Sequence, residues 1–216
     1  GIIRTDNGGI VVVGTAATTG AYTNIKLVEY DSTFAEQWVT TYGDSGSYIT
    51  ATQASDDDNG HYIISGSANN SSGGTDMLAV TYNHSHNSSP TLNWVQTISA
   101  PNRTQPASAT AITTDDNGNI ILAGKAFNNG HWGMVTNEMD INSGSLLWQK
   151  TYKRTNNTDD SASAVVFDGT DICVYGTSAG TTDTIYDVMK HEQLPISQQV
   201  FQDSAGNHIY MHNQLI

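Results

Sequence analysis

The chain of 216 residues reads as an all-β protein: a β-propeller, or an open arc of one, with about four four-stranded up-and-down blades. Three observations point there. A short segment recurs as DNGGIVVVG (6–14), DNGHYIISG (58–66), DNGNIILAG (116–124) and DGTDICVYG (168–176), its closing glycines Gly14, Gly66, Gly124 and Gly176 spaced by 52, 58 and 52 residues. A tryptophan-bearing segment recurs behind it, with Trp38, Trp94 and Trp148 separated by 56 and 54 residues. Only 13% of residues are charged, so the polar surface is built from Asn, Ser, Thr and Gly, unlike the Lys- and Glu-rich faces of a helical protein.

Each part of the repeat has a physical reading. Asp6, Asp58, Asp116 and Asp168 open the segments, and Asp-Asn-Gly tolerates positive φ and bonds its own backbone, the chemistry of a hairpin turn. The apolar run that follows is too short for a helix and mostly rich in β-branched residues, so it is a strand. Being apolar on both faces, it must be covered on both faces, as in a sheet stacked between two others. The closing glycine marks a bulge or a close backbone approach. Next come a polar loop and a third strand, as in NIKLVEYD (24–31), DMLAVTYN (76–83) and HWGMVTNEMD (131–140). The tryptophan strand follows, and a strand such as ITATQASDD or SATAITTDD precedes each turn, completing units of ~50–60 residues, about one propeller blade.

These phrases resemble the bacterial β-propeller repeat family called SBBP and secreted repeat proteins of the Bacteroidota. DINSGSLLW (140–148) is similar to the D-x-x-x-G-x-x-x-W phrase of quinoprotein-type propellers, without a cofactor motif beside it. The resemblance covers residues 1–193 and implies architecture more than activity. Units fall at about 1–43, 44–99, 100–153 and 154–193. The fourth lacks tryptophan, with Phe201 as a substitute or the repeat ending there, and 194–216 is either the last strand or strands of the propeller or the start of another domain. Opening on Gly1 without an initiator Met, the chain looks like a segment of something longer.

Twenty-one acidic against 8 basic residues give a formal charge of −13, which repels phosphate backbones and excludes nucleic acid as a partner. No run approaches the ~20 apolar residues of a helical membrane span. The single cysteine, Cys173, lies in an apolar run and reads as a small buried hydrophobe. TYGDSGSY (41–48) contains the GDSG of trypsin-like proteases, yet no histidine precedes Ser45 and Ser47 stands where that family has Gly, so Ser45 is a loop serine between two units.

His84 and His86 in NHSHN project to one side of an extended chain and could hold half a metal site, although no third ligand stands near; solvated loop histidines are the favoured reading. SDDDNG (55–60) and TDDNGN (114–119) offer oxygens to Ca²⁺ but lack the EF-hand spacing, and the turn reading fits every copy, so no cofactor is expected, with Ca²⁺ the alternative. The loops at the other ends of the strands are longer and more varied, and function concentrates on such loops. There Tyr22, Arg103, His131, Trp132 and Arg154 are the groups best able to stack on or hydrogen-bond a sugar or peptide.

The expected function is a non-catalytic binding or display module, extracellular or on a bacterial surface, for a glycan, peptide or protein. The alternatives are a structural spacer or self-assembling scaffold, since exposed strand edges pair with other chains, and a polysaccharide-acting enzyme. Asp44, Asp76, Asp159, Asp160 and Asp183 could supply the carboxylate pair for that chemistry, though nothing in their spacing selects two of them. The N-x-S/T sequons at Asn69, Asn70, Asn83, Asn87, Asn102 and Asn156 read as coincidence in a chain this rich in Asn, Ser and Thr.

Overall fold

The computed structural model describes residues 1–20, 22–44, 46–85, 88–153 and 158–179, and beyond them the backbone of three further strands. The first sheet runs β1 (Ile2–Arg4), β2 (Ile10–Ala17), β3 (Thr23–Tyr30) and β4 (Glu36–Tyr42) in up-and-down order. The second is β5 (Ile49–Asp56), β6 (His61–Asn69), β7 (Thr75–Asn83) and β8 (Thr91–Ile98), and the third is β9 (Ala107–Thr114), β10 (Ile120–Asn128), β11 (His131–Met139) and β12 (Leu146–Tyr152). A fourth sheet has three strands, β13 (Asp159–Phe167), β14 (Ile172–Ala179) and β15 (Thr184–His191). In the tail, β16 (Val200–Gln202), which carries Phe201, pairs with β17 (His208–Tyr210) as a separate two-stranded sheet. The architecture is all-β, with antiparallel sheets stacked face to face like propeller blades.

The doubly apolar second strand explains the stacking. Along β6, Tyr62 and Ile64 face the first blade, where they join Val11, Val13, Ile25 and Leu27. Ile63 faces the third blade and joins Ile112, Ile120, Leu122 and Val135. Along β10 the split repeats, with Ile121 and Ala123 turned toward Val165, Ile172 and Val174 of the fourth. Side chains alternate across a strand, so one apolar run fills two interfaces. The first strand of each following blade lies on the middle strands of the one before, β5 on β2 and β3, β9 on β6 and β7, β13 on β10 and β11.

The closing glycine of the repeat is explained by a bulge in the strand beside it. The register of β5 against β6 skips Thr52 opposite Gly66, that of β9 skips Thr110 opposite Gly124, and that of β13 skips Ser163 opposite Gly176. The bulge drives a carbonyl into the space a side chain would need: a Cβ on Gly66, Gly124 or Gly176 would overlap the carbonyl oxygen of Thr50, Ser108 or Ser161. Gly14 lies beyond the paired stretch of β1, which runs from Ile2 opposite Val12 to Arg4 opposite Ile10, so the bulge is read from the other three glycines. Two bulge residues also join blades. Thr52 Oγ1 donates to the Ala109 carbonyl at 3.0 Å, and Thr110 Oγ1 donates to the Ala162 carbonyl at 2.8 Å.

The two ends of the strands carry different turns. At the hairpin end, Asp115 Oδ1 accepts the backbone N–H of Asn117 at 2.9 Å and of Asn119 at 2.8 Å, while Asp57 Oδ1 accepts those of Asn59 and His61, both at 2.9 Å. The organising carboxylate is thus one residue ahead of Asp116 and Asp58, and Asp58 instead takes the left-handed position at φ 57°. The reason is turn length: the backbone closes from Asp115 to Asn119 and from Asp57 to His61. In the first blade the closing residues are Thr5 and Gly9, with Asn7 Oδ1 accepting from both, so Asp6 occupies the second position. In the fourth the turn closes from Asp168 to Asp171, one residue shorter, and Asp168 itself accepts the N–H of Thr170 and Asp171.

Candidate functional site

The opposite end of the sheets gathers the loops between second and third strands and those between blades. The N–H of Thr23 donates to the Ser47 carbonyl, Asn70 Nδ2 donates to the Arg103 carbonyl at 2.9 Å, and the N–H of Phe127 donates to the Pro106 carbonyl. Hydrogen bonds between neighbouring loops fasten this surface to the rigid sheets beneath it.

Its densest cluster of side chains sits at the end of the third blade. Phe127 and Trp132 are direct partners in the β10–β11 register, and cross-strand aromatic pairs pack closely. Their rings meet edge to face at 5.4 Å, and Lys125, two residues before Phe127 on the same side of β10, places its ammonium 4.4 Å from the Trp132 ring centre. From the fourth blade, Asp159 Oδ1 accepts the Trp132 N–H at 2.9 Å and lies 3.3 Å from His131 Nδ1. Beside this cluster is a shallow cleft of about 220 Å³ lined by Asn102, Gln105, Phe127, Asn128, Asn129 and Gly130. Amide groups and an aromatic edge in one cleft can bond hydroxyls and carry a sugar or peptide face.

Of the residues expected on this surface, His131 and Trp132 belong to the cluster, while Tyr22 packs at 5.1 Å on Tyr48 at the seam of the first two blades. Arg103 is exposed on the loop between the second and third blades. Arg154 lies outside the described residues. Lys125, Phe127, Asn102, Gln105 and Asn128 were not expected, although the alternation of β10 carries the signal: Lys125 and Phe127 share the parity of Ile121 and Ala123 and so emerge beside Trp132.

The carboxylates considered for catalysis have assigned contacts. Asp76 is buried and accepts from Asn70 Nδ2 at 2.7 Å. Asp160 is buried and accepts from Thr158 Oγ1 at 3.2 Å, facing away from its neighbour Asp159 because successive strand residues alternate. Asp44 accepts from Ser47 Oγ at 2.6 Å. Asp183, like Ser45 and His86, lies outside the described residues.

At the hairpin end, His84 lies flat on Tyr62 with ring centres 3.9 Å apart and its Nε2 3.3 Å from Asp56 Oδ2. Burial, and then the charges of Asp56, Glu29 and Asp6, push the Tyr62 hydroxyl up to about 12. Asp140 is held below the usual carboxylate range chiefly by the Ser143 hydroxyl and then by the Ser143 N–H, so the DINSG phrase works here as a turn cap. Among the described residues, no three His, Cys, Asp or Glu side chains converge as metal ligands do.

No family model matches the chain, and no curated protein sequence matches it. Among solved structures, it is similar to the native arabinanase Arb43A of Bacillus subtilis, with a TM-score of 0.51 at 13% identity, over 96% of this chain and 76% of that one. At that identity the likeness bears on fold alone. The chain has the β-propeller fold, with three four-stranded blades and a partial fourth among the described residues.

Proposed function

We propose that this chain is a ligand-binding and display module whose loop end holds an oligosaccharide, outside the cell or on a bacterial surface. The observation that carries the reading is the cluster around Trp132, where an indole, an ammonium and a carboxylate gather beside Phe127, whose phenyl ring also lines a cleft of amide side chains. Aromatic faces with a few fixed polar groups suit sugars, whose rings alternate C–H patches with hydroxyls. The similar arabinanase acts on a polysaccharide, which makes arabinan oligosaccharides a sensible first member of the panel. The test is a glycan and peptide screen on folded chain beside Trp132→Ala. Saturable binding lost in the variant supports the reading, and a blank screen with folded protein removes it.

A second reading, assembly of copies, draws on the outward face of the first blade. There Ile2 is 71% and Val39 41% exposed, in register with Val12 and Val28. The equivalent row of the second blade, Ile64, Val80 and Val95, is packed against the first. Light scattering that finds monomers over a wide concentration range removes this reading.

A further inference from the structure

At the hairpin end, between the first two blades, a narrow cavity of about 20 Å³ has room for one water-sized group. Asp6 and Asn7 border it from the β1–β2 turn, Glu29 from β3, Asp56 from the end of β5, Tyr62 from β6 and His84 from the β7–β8 loop. Three of these six are carboxylates, and among the described residues neither lysine nor arginine lines the cavity.

Glu29 is the informative residue. It sits on the inward row of β3 behind Ile25 and Leu27, is only 5% exposed, and among the described residues no donor reaches its carboxylate. A buried charge left in this way is costly unless something opposes it. The third blade shows what has been withdrawn. Its equivalent, Glu138, receives Trp148 Nε1 at 2.7 Å and Asn119 Nδ2 at 3.2 Å. In the first blade Trp38 is opposite Glu29 just as Trp148 is opposite Glu138, yet Trp38 Nε1 is buried without a partner, and the position of Asn119 is held by Gly9. The bond that the third blade makes is thus absent from the first, where the acceptor faces a cavity instead.

We infer that this cavity is a binding site for a single primary ammonium group, held by Glu29 with Asp6 and Asp56. The size fits one such group, and a bare metal ion is disfavoured because no three acidic or imidazole side chains converge at ligand distances among the described residues. An ammonium instead donates three hydrogen bonds to separated acceptors. The group can come from a free amine or from a lysine of a partner protein, and the chemistry of the site is the same for both.

The experiment measures the thermal midpoint of the whole chain at constant ionic strength in tetramethylammonium chloride, a cation too large to enter and unable to donate. Methylammonium chloride replaces it stepwise, and parallel samples receive a lysine-containing peptide, the same peptide acetylated on lysine, or calcium chloride. Each tenfold increase in methylammonium beyond half-saturation raises the midpoint by roughly 3–5 °C, from the logarithmic dependence of stability on ligand. The shift is absent in Glu29→Gln and weakened in Asp6→Asn, whose site is on an exposed turn and leaves the core intact. A response to the lysine peptide alone, lost on acetylation, also supports the site and assigns its source to protein. Equal midpoints in methylammonium and tetramethylammonium with no lysine-peptide effect overturn the inference, as does a response to calcium with none to either amine.

Discussion

Replacing Gly66 and Gly14 by alanine, in separate variants, compares a repeat glycine set against a bulged strand with one that has no residue of β1 opposite it. Neither glycine has a positive φ, so the backbone accepts alanine at both. In open space the change stabilises a strand by about 0.5–1 kcal/mol, chiefly by restricting the unfolded chain. That is the expectation at Gly14, where a Cβ meets nothing within 4 Å. At Gly66 the new Cβ falls on the Thr50 carbonyl oxygen, with Thr50 C at 2.9 Å and Ala51 Cα at 3.3 Å. These are backbone atoms in a paired strand, so β5 itself must shift. Overpacking of this kind costs about 1–3 kcal/mol. Displacing the bulge also strains the Thr52 bond to the Ala109 carbonyl, worth about 1 kcal/mol. Set against the intrinsic gain, Gly66→Ala loses about 2–3 kcal/mol, which separates the two variants by about 3 kcal/mol. Urea unfolding followed by circular dichroism reads this as opposite displacements of the midpoint at unchanged slope. If both variants move together, or Gly66→Ala is as stable as the parent, the bulge is not what reserves this position for glycine.

Thr110→Val keeps the shape of the side chain but leaves the Ala162 carbonyl without the hydroxyl at 2.8 Å, and should cost about 1–2 kcal/mol by the same unfolding measurement. Phe34 stands at φ 63° while 75% exposed, so Phe34→Gly relieves a conformation bulky residues avoid while giving up little burial; it should raise stability by about 0.5–1 kcal/mol. Tyr62 and Tyr82 are each raised to about 12, chiefly by burial. Their contribution to stability is therefore complete below the unfolded tyrosine value near 10 and is lost as pH rises toward 12. Tyrosinate absorbance should show late-titrating groups, Tyr62 and Tyr82 among them, whose ionisation coincides with unfolding, and ordinary titration of all tyrosines would contradict this. Lys125→Met should weaken oligosaccharide binding less than Trp132→Ala, because the ammonium lies over the indole while the indole supplies the stacking surface; calorimetry on both variants decides.

The repeat made the blades legible, because hairpin turn, doubly apolar strand and tryptophan strand each answer to a local physical requirement. Asp58 and Asp116 lie within their turns, but which of the adjacent aspartates Asp57-Asp58 and Asp115-Asp116 caps the turn is selected only by the backbone closure. Trp132 and His131 were legible as groups at the variable end of the blade, although they open β11 and are half-buried. Their companions were not, since Phe127 and Lys125 read as ordinary strand residues until the register places them beside Trp132. Glu29 left a trace in the pattern Ile25-Leu27-Glu29, a charge on the parity of the core. The loss of one donor is legible too, since Gly9 stands where the third blade has Asn119; what the pattern could not reveal is that Trp38 Nε1, opposite Glu29, does not reach it as Trp148 reaches Glu138.

The loop end as the binding surface is tested most directly by hydroxyl-radical footprinting, with mass spectrometry of the chain alone and saturated with an arabinan oligosaccharide. Protection confined to Trp132, Phe127 and the neighbouring loop residues, with exposed Phe34 at the hairpin end unchanged, is the result the account predicts. Protection centred on Phe34 and the hairpin turns, or none at saturation, would contradict it.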